Sequence, residues 1–392
     1  MMQPENSNQR ESAVKTYLYA LVILVSSRLI VFSALIFSAK FIPPSDVILA
    51  DGNSPPWYQY LLRWDAGWYL QIVRDGYSFN GDNSIQQSIA FHPLYPMICK
   101  AVAFLFRIPD GAALVIVSNV LIFIAVLLVF KLIREDYGDE VALYALAALC
   151  FFPASLFFSA GYTESLALLL IVSFFLMLKR KRYILASVFV SLTLATRPTS
   201  IVLLLPLAWE LWRAYSKDIK RLAMVGVPCL ILATSGLWLY MIYLWAAFDR
   251  PLTVMTSHRA WHGSGSWNEL LRVLTLQPFQ HLADIWTAGP FPSTLAPWFF
   301  LLFVFLLVFF RKLLPPSYML YTLGVLLMPY LIGSGNVGFH SFTRYLLLAL
   351  PVFIIMGEIF KRRVWVGFAV VGLFAALLFM HAAFYAQAYW AG

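Results

Sequence analysis

The chain has 392 residues, 61% of them hydrophobic and 12% charged, with a mean hydropathy of +0.77. An ordinary soluble domain carries about 25% charged residues, so a soluble fold is excluded and an all-α polytopic membrane protein is expected. The net charge of +9 does not signal nucleic acid, because most of the excess lies in short clusters between apolar runs, where it reports orientation.

The polar residues 1–15 read as a cytoplasmic tail. They lead into an apolar stretch, 16–38, that has no small-residue cleavage site and is expected to be retained as the first helix. Spans need about 20 apolar residues. Those that follow are 112–132, 140–158, 163–179, 183–196, 199–213, 222–247, 294–310, 316–334, 342–360 and 364–388, which makes about 11 transmembrane helices in one multi-span domain over 1–392. Arg197-Pro198 is expected to hinge a hairpin, since proline and its predecessor disfavour helix continuation. Residues 91–107, "FHPLYPMICKAVAFLFR", contain two prolines and Lys100 and read as interfacial. The two long connections are 40–111, expected to carry interfacial helices, and 248–292. Cys99, Cys150 and Cys229 are widely separated and read as packing residues.

Orientation follows from the basic clusters. With the N-terminus inside, the short inner connections collect Arg10, Lys15, Lys131, Arg134, Lys179 to Arg182, Arg213, Lys217, Lys220, Arg221, Arg311, Lys312 and Lys361 to Arg363. That is 17 of the 28 basic residues, a positive-inside bias, provided that 91–107 does not cross. The other polar segments then share the outer side: 40–111, "SAGYTES" at 159–165, Arg197, the second long connection, and "GSGNVGFHSFTR" at 333–344.

The most unusual of these is "RWDAGWYLQIVRDGY" at 63–77. At helical spacing Leu61, Trp64, Trp68 and Ile72 fall on one side, with Arg63, Asp65 and Tyr69 elsewhere. As structure alone this is an amphipathic anchor with aromatics at headgroup depth. As chemistry, an acid between two tryptophans suits a general base, because partial desolvation raises its proton affinity. His92, Arg197, His258, Arg259, His340 and Arg344 are cations, or groups that can become cations, on the same side, and arginine is the favoured bidentate partner of phosphate. An acid facing arginines fits a reaction whose leaving group is a lipid-linked phosphate.

Each residue also has a structural reading. Arg344 can snorkel from a helix end, Glu164 can stabilise a helix N-terminus, and His258 with His262 form no metal pattern. Arg28, mid-span, needs a partner that the sequence does not name.

"RWDAGWYLQIVRDGY" followed by "FHPLYP" resembles the signature of the PIG-V family, the GPI mannosyltransferase II group and its prokaryotic relatives among the GT-C glycosyltransferases. "FFPASLFFSAGYTESLALLL", "ATRPTSI" and "SFTRYLLLALP" resemble later family segments, so the likeness spans roughly residues 20–360. It implies a GT-C-type bundle. It also implies inverting transfer of a sugar, mannose, from a polyprenyl-phosphate donor to an acceptor hydroxyl on the extracytoplasmic or lumenal side of the cell or ER membrane. By the same resemblance Asp65 becomes the catalytic base. Arg63, Arg197 and Arg344 become donor-phosphate contacts or site architecture, and Glu164 part of the cavity wall. The reading of the residues themselves adds His92, His258, Arg259 and His340 as substrate contacts and Trp64, Trp68 and Tyr69 as cavity residues. No cofactor is expected: there is no phosphate-binding glycine loop, and a divalent metal has no support. The compact tail and second long connection favour a prokaryotic relative, with the acceptor open. A lipid-linked-sugar flippase or a noncatalytic subunit is the alternative; the former predicts repeated halves, which the chain lacks.

Overall fold

The computed structural model describes residues 7–45, 56–257, 260, 279, 295–333, 339 and 341–390, and no strand occurs among them. Helix α1 (Ser7–Phe41) is followed in the first long connection by α2 (Asp65–Asp75) and α3 (Leu94–Phe106). The bundle continues through α4 (Asp110–Tyr137), α5 (Asp139–Phe151), α6 (Glu164–Lys179), α7 (Tyr183–Leu194), α8 (Leu204–Tyr215) and α9 (Ile219–Phe248). After the short α10 (Thr253–Thr256) come α11 (Ala296–Phe310), α12 (Pro316–Gly333), the one-turn α13 (Phe342–Leu346), α14 (Leu350–Arg362) and α15 (Val364–Ala386).

The all-helical membrane architecture matches the composition, but individual helices are shorter than the expected spans. Five described helices are long and apolar enough to cross a membrane on their own: α1, α4, α9, α11 with its following turn, and α15. Proline breaks the chain after α5 and before α8, where 3-10 turns at Pro153–Phe158 and Pro198–Leu203 follow and precede the helices. Helix α3, the interfacial candidate, has 13 residues. That is roughly 20 Å at 1.5 Å per residue, too short for a hydrocarbon core of about 30 Å.

Helix α5 packs on α14, α4 on α6, α7 on α9, and α1 on α15. Small residues let backbones approach where lipid offers no hydrophobic drive. A Cβ at Gly236 of α9 would lie 1.9 Å from the Ser191 carbonyl oxygen of α7, and one at Gly357 of α14 would lie 2.6 Å from that of Val141 on α5. Aromatic edges fill the centre: Phe152 meets Phe299, Phe303, Phe353 and Phe374 at centroid distances of 5.0 to 5.7 Å.

The two ends of the bundle differ in charge. At one end Lys179 pairs with Asp136 and with Glu135 (3.2 Å), Arg134 with Asp139 (2.6 Å) and Lys361 with Glu140 (3.7 Å). The Tyr137 hydroxyl ties the 311–313 turn to the same end by donating to the Leu313 carbonyl. Arg134, Lys179, Lys361 and the 311–313 turn, which the sequence assigns to inner connections, therefore gather at one end. Glu164, at the start of α6, lies at the opposite end, a helix of 16 residues away, or roughly 24 Å.

Arg28 finds its partners in the Cys150–Ser159 segment. Its guanidinium donates to the carbonyls of Ser155 (2.7 Å) and Cys150 (3.2 Å) and to the hydroxyls of Ser155 (3.0 Å) and Ser159 (3.1 Å). A cation from α1 thus joins carbonyls on both sides of the break at Pro153, and Arg28 is a structural clamp. Arg28→Leu is expected to lower stability by roughly 1.5–3 kcal/mol, the scale of a hydrogen bond to a charged group. Thermal unfolding in detergent measures this, and an unchanged midpoint would count against the clamp.

Candidate active site

Asp65 is placed by a strained turn. The Arg63 carbonyl accepts the Ala66 N–H at 3.2 Å, and the intervening Trp64 has φ 56° and ψ −125°. That is the first central position of a type II′ turn, which glycine favours; holding tryptophan there costs on the order of 1–3 kcal/mol. Packing fixes the corner. The Tyr162 and Tyr385 hydroxyls both donate to the Arg63 carbonyl at 3.1 Å, Arg63 Nε donates to the Ala386 carbonyl at 3.0 Å, and the Trp64 ring meets Trp390 edge-on. Helix α2 begins immediately afterwards, so the carboxylate of Asp65 occupies its first turn, where the helix dipole favours negative charge.

The helical face expected over 61–72 is corrected by this corner. Residues 61–64 precede the helix, and the buried face is Ala66, Tyr69, Ile72 and Val73, while Trp64 is exposed.

Asp65 opens a chain of four charges drawn from distant segments. Arg344 Nη1 donates to Asp65 Oδ2 at 2.7 Å, and Arg344 Nε lies 3.2 Å from Glu164 Oε1. The same Glu164 oxygen accepts Arg197 Nη1 at 2.7 Å. Glu164 starts α6, Arg197 sits in the extended break before Pro198, and Arg344 lies on α13, entered through Ser341 at φ 59°. Rings complete the arginine sockets. Arg344 lies over Tyr162 at 5.1 Å and Tyr345 at 5.6 Å, and Arg197 lies over the Tyr345 ring at 5.1 Å. Such contacts strengthen on desolvation.

A cavity of about 240 Å³ opens on this chain. Asp65, Tyr69, His92, Arg197 and Arg344 line it, with Tyr162, Thr163, Thr196, Ser341 and Tyr345 among the other lining residues. Burial, then the charge of Glu164, pushes the Tyr69 phenol well above its ordinary pKa, so Tyr69 faces the cavity as a neutral hydroxyl. Its phenol ring packs edge-on against Phe91 and Tyr95. His92 is set by contact of its Nδ1 with the Leu194 carbonyl at the end of α7.

The structure does not bring every expected residue to the cavity. Arg63 straps the turn to α15, Trp64 packs on Trp390, and Trp68 stacks on Phe91. Glu164 lies behind the wall as the arginines' shared counter-ion. His258, Arg259 and His340 lie outside the described residues. Tyr162 and Tyr345 were missed by sequence reasoning although each adjoins a charged residue it had singled out, in "YTES" and "TRY". Among the described residues no group of three or more His, Cys, Asp or Glu could hold a metal ion.

The family model described as Mannosyltransferase (PIG-V) matches residues 13–248. GPI mannosyltransferase 2 of Drosophila pseudoobscura pseudoobscura is 31% identical over 132 residues, which cover 29% of this chain and 28% of that protein. Among solved structures, ArnT from Cupriavidus metallidurans in the apo state superposes with a TM-score of 0.52 at 15% identity, covering 92% of this chain and 64% of that one. The apo Archaeoglobus fulgidus oligosaccharyltransferase gives a TM-score of 0.48 at 14% identity, over 95% and 56% of the two chains. The chain therefore spans less than two thirds of each of these proteins.

Glu164 neutralises two buried guanidinium groups, and removing one partner of a buried ion pair costs roughly 3–5 kcal/mol. Glu164→Leu is expected to lower the thermal midpoint sharply or prevent folding, as fluorescence-detected size exclusion would show. A variant as stable as the parent would contradict the shared counter-ion.

Proposed function

The chain belongs to the mannosyltransferase (PIG-V) family and has a GT-C fold, and from that premise we propose that it transfers mannose from a polyprenyl-phosphate donor to an acceptor hydroxyl. The observation that carries this reading is the Asp65–Arg344–Glu164–Arg197 chain at the wall of the cavity. A base and two phosphate-binding cations share one small space. Its volume is below the roughly 300–1,000 Å³ that encloses a drug-sized ligand, which suits a sugar phosphate headgroup with the prenyl chain outside.

In the proposed step Asp65 takes the proton of the acceptor hydroxyl as its oxygen attacks the anomeric carbon. The bond from that carbon to the phosphate oxygen breaks, and its electron pair leaves with the polyprenyl phosphate. Arg344 and Arg197 bear the charge that develops on this leaving group, which therefore needs no general acid. A single displacement inverts the anomeric centre. Tyr69 and His92 supply polar contacts to the sugar or acceptor. The extracytoplasmic side is the one this reading favours: the lysine and arginine clusters lie at the opposite end of the bundle, and positive clusters stay inside.

Purified protein in lipid, given polyprenyl-phosphomannose and a panel of hydroxyl acceptors, is expected to consume the donor and form a product of inverted anomeric configuration. Removing a general base typically costs 10²–10⁴-fold. Asp65→Asn is thus expected to lose about that much turnover while still folding and inserting, as a monodisperse peak in size exclusion would show. Transfer by this variant at the parental rate would refute Asp65 as the base.

A further inference from the structure

Asp65 Oδ2 accepts a hydrogen bond from Arg344 Nη1 at 2.7 Å, so an oxygen that would take the acceptor's proton is already occupied. The chain of two carboxylates and two guanidinium groups also sums to zero charge, so an entering phosphate meets cations that already have partners.

The two acids are not equally able to yield. The Glu164 side chain is 1% exposed, and one of its oxygens serves both arginines. Asp65 is 18% exposed, lines the cavity, and is the first residue of a short helix that follows a strained corner. The buried Oε2 of Glu164 has no hydrogen-bond partner among the described residues. It can take an N–H as Arg344 turns, keeping the guanidinium anchored while its Nη1 changes partner.

We propose that the donor's phosphate displaces Asp65 from Arg344, so that the base is masked in the empty enzyme and uncovered by donor binding. Glu164 is the positioning residue that holds both arginines through the exchange. This rests on the glycosyl-transfer reading above, and it makes binding ordered, with the donor first. Phosphate and Asp65 compete for one side chain, so any change that frees Arg344 from Asp65 tightens phosphate binding.

The test measures binding of a sugar-free polyprenyl phosphate to the full-length protein in nanodiscs. Asp65→Asn and Asp65→Ala, which remove the competing charge in two ways, are each expected to bind at least about fivefold tighter than the parent, the low end of typical coupling between sites. Asp110→Asn removes a carboxylate that faces Arg74 at 3.9 Å and does not line the cavity; its affinity is expected to be unchanged. Equal affinity in both Asp65 variants and the parent, or equal tightening by Asp110→Asn, would overturn the proposal. If the parent transfers mannose and the Asp65 variants bind no tighter, the mask falls and the transferase reading stands. If the parent neither binds polyprenyl phosphate nor transfers mannose, both fall.

Discussion

A charge taken out of water needs opposite charge or hydrogen bonds beside it, and deep in a helical membrane bundle those partners have to come from other segments. Glu164 sets that constraint here. Its one oxygen binds guanidinium groups from the α7–α8 break and from α13, and through Arg344 it reaches α2. Four pieces of chain far apart in sequence are thereby fixed at one end of the bundle. The interruptions of the helices at Pro198 and at Ser341 are what deliver the arginines to it; uninterrupted spans would carry those side chains past.

Strain and support are balanced around the same point. Trp64 holds a conformation that glycine prefers, and the two tyrosine hydroxyls on the Arg63 carbonyl keep it there. Tyr162 is shared between these tasks: its hydroxyl pins the turn that carries Asp65, and its ring lies under Arg344. Helix α15 takes part through Tyr385 and Ala386, so it meets the first long connection beside Asp65. Arg63, Trp64 and Asp65 are adjacent in sequence and do three different things.

Much of this was legible without coordinates, and the reason is contrast. In a chain with 12% charged residues, Asp65, Glu164, Arg197 and Arg344 stand out because an ionisable group in apolar surroundings requires an explanation. Their geometry was not legible. Helical periodicity treats 61–72 as one helix, since nothing about a tryptophan announces a positive φ, and neither Arg63 nor Trp64, both expected at the site, lines the cavity. The partner of Arg28 lies 127 residues away at Ser155, beyond any local pattern. A sliding apolar window also registers spans where the chain builds short helices joined by 3-10 turns.

The central claim is that the arginines bound to Glu164 are the seat of the donor's phosphate. A cryo-EM structure of the Asp65→Asn protein with polyprenyl-phosphomannose tests it most directly. The account predicts phosphate oxygens within about 3 Å of the guanidinium nitrogens of both Arg344 and Arg197, with the sugar in the cavity beside residue 65. Phosphate seated instead among Lys179 and its neighbours at the opposite end of the bundle, with the cavity unfilled, would contradict it.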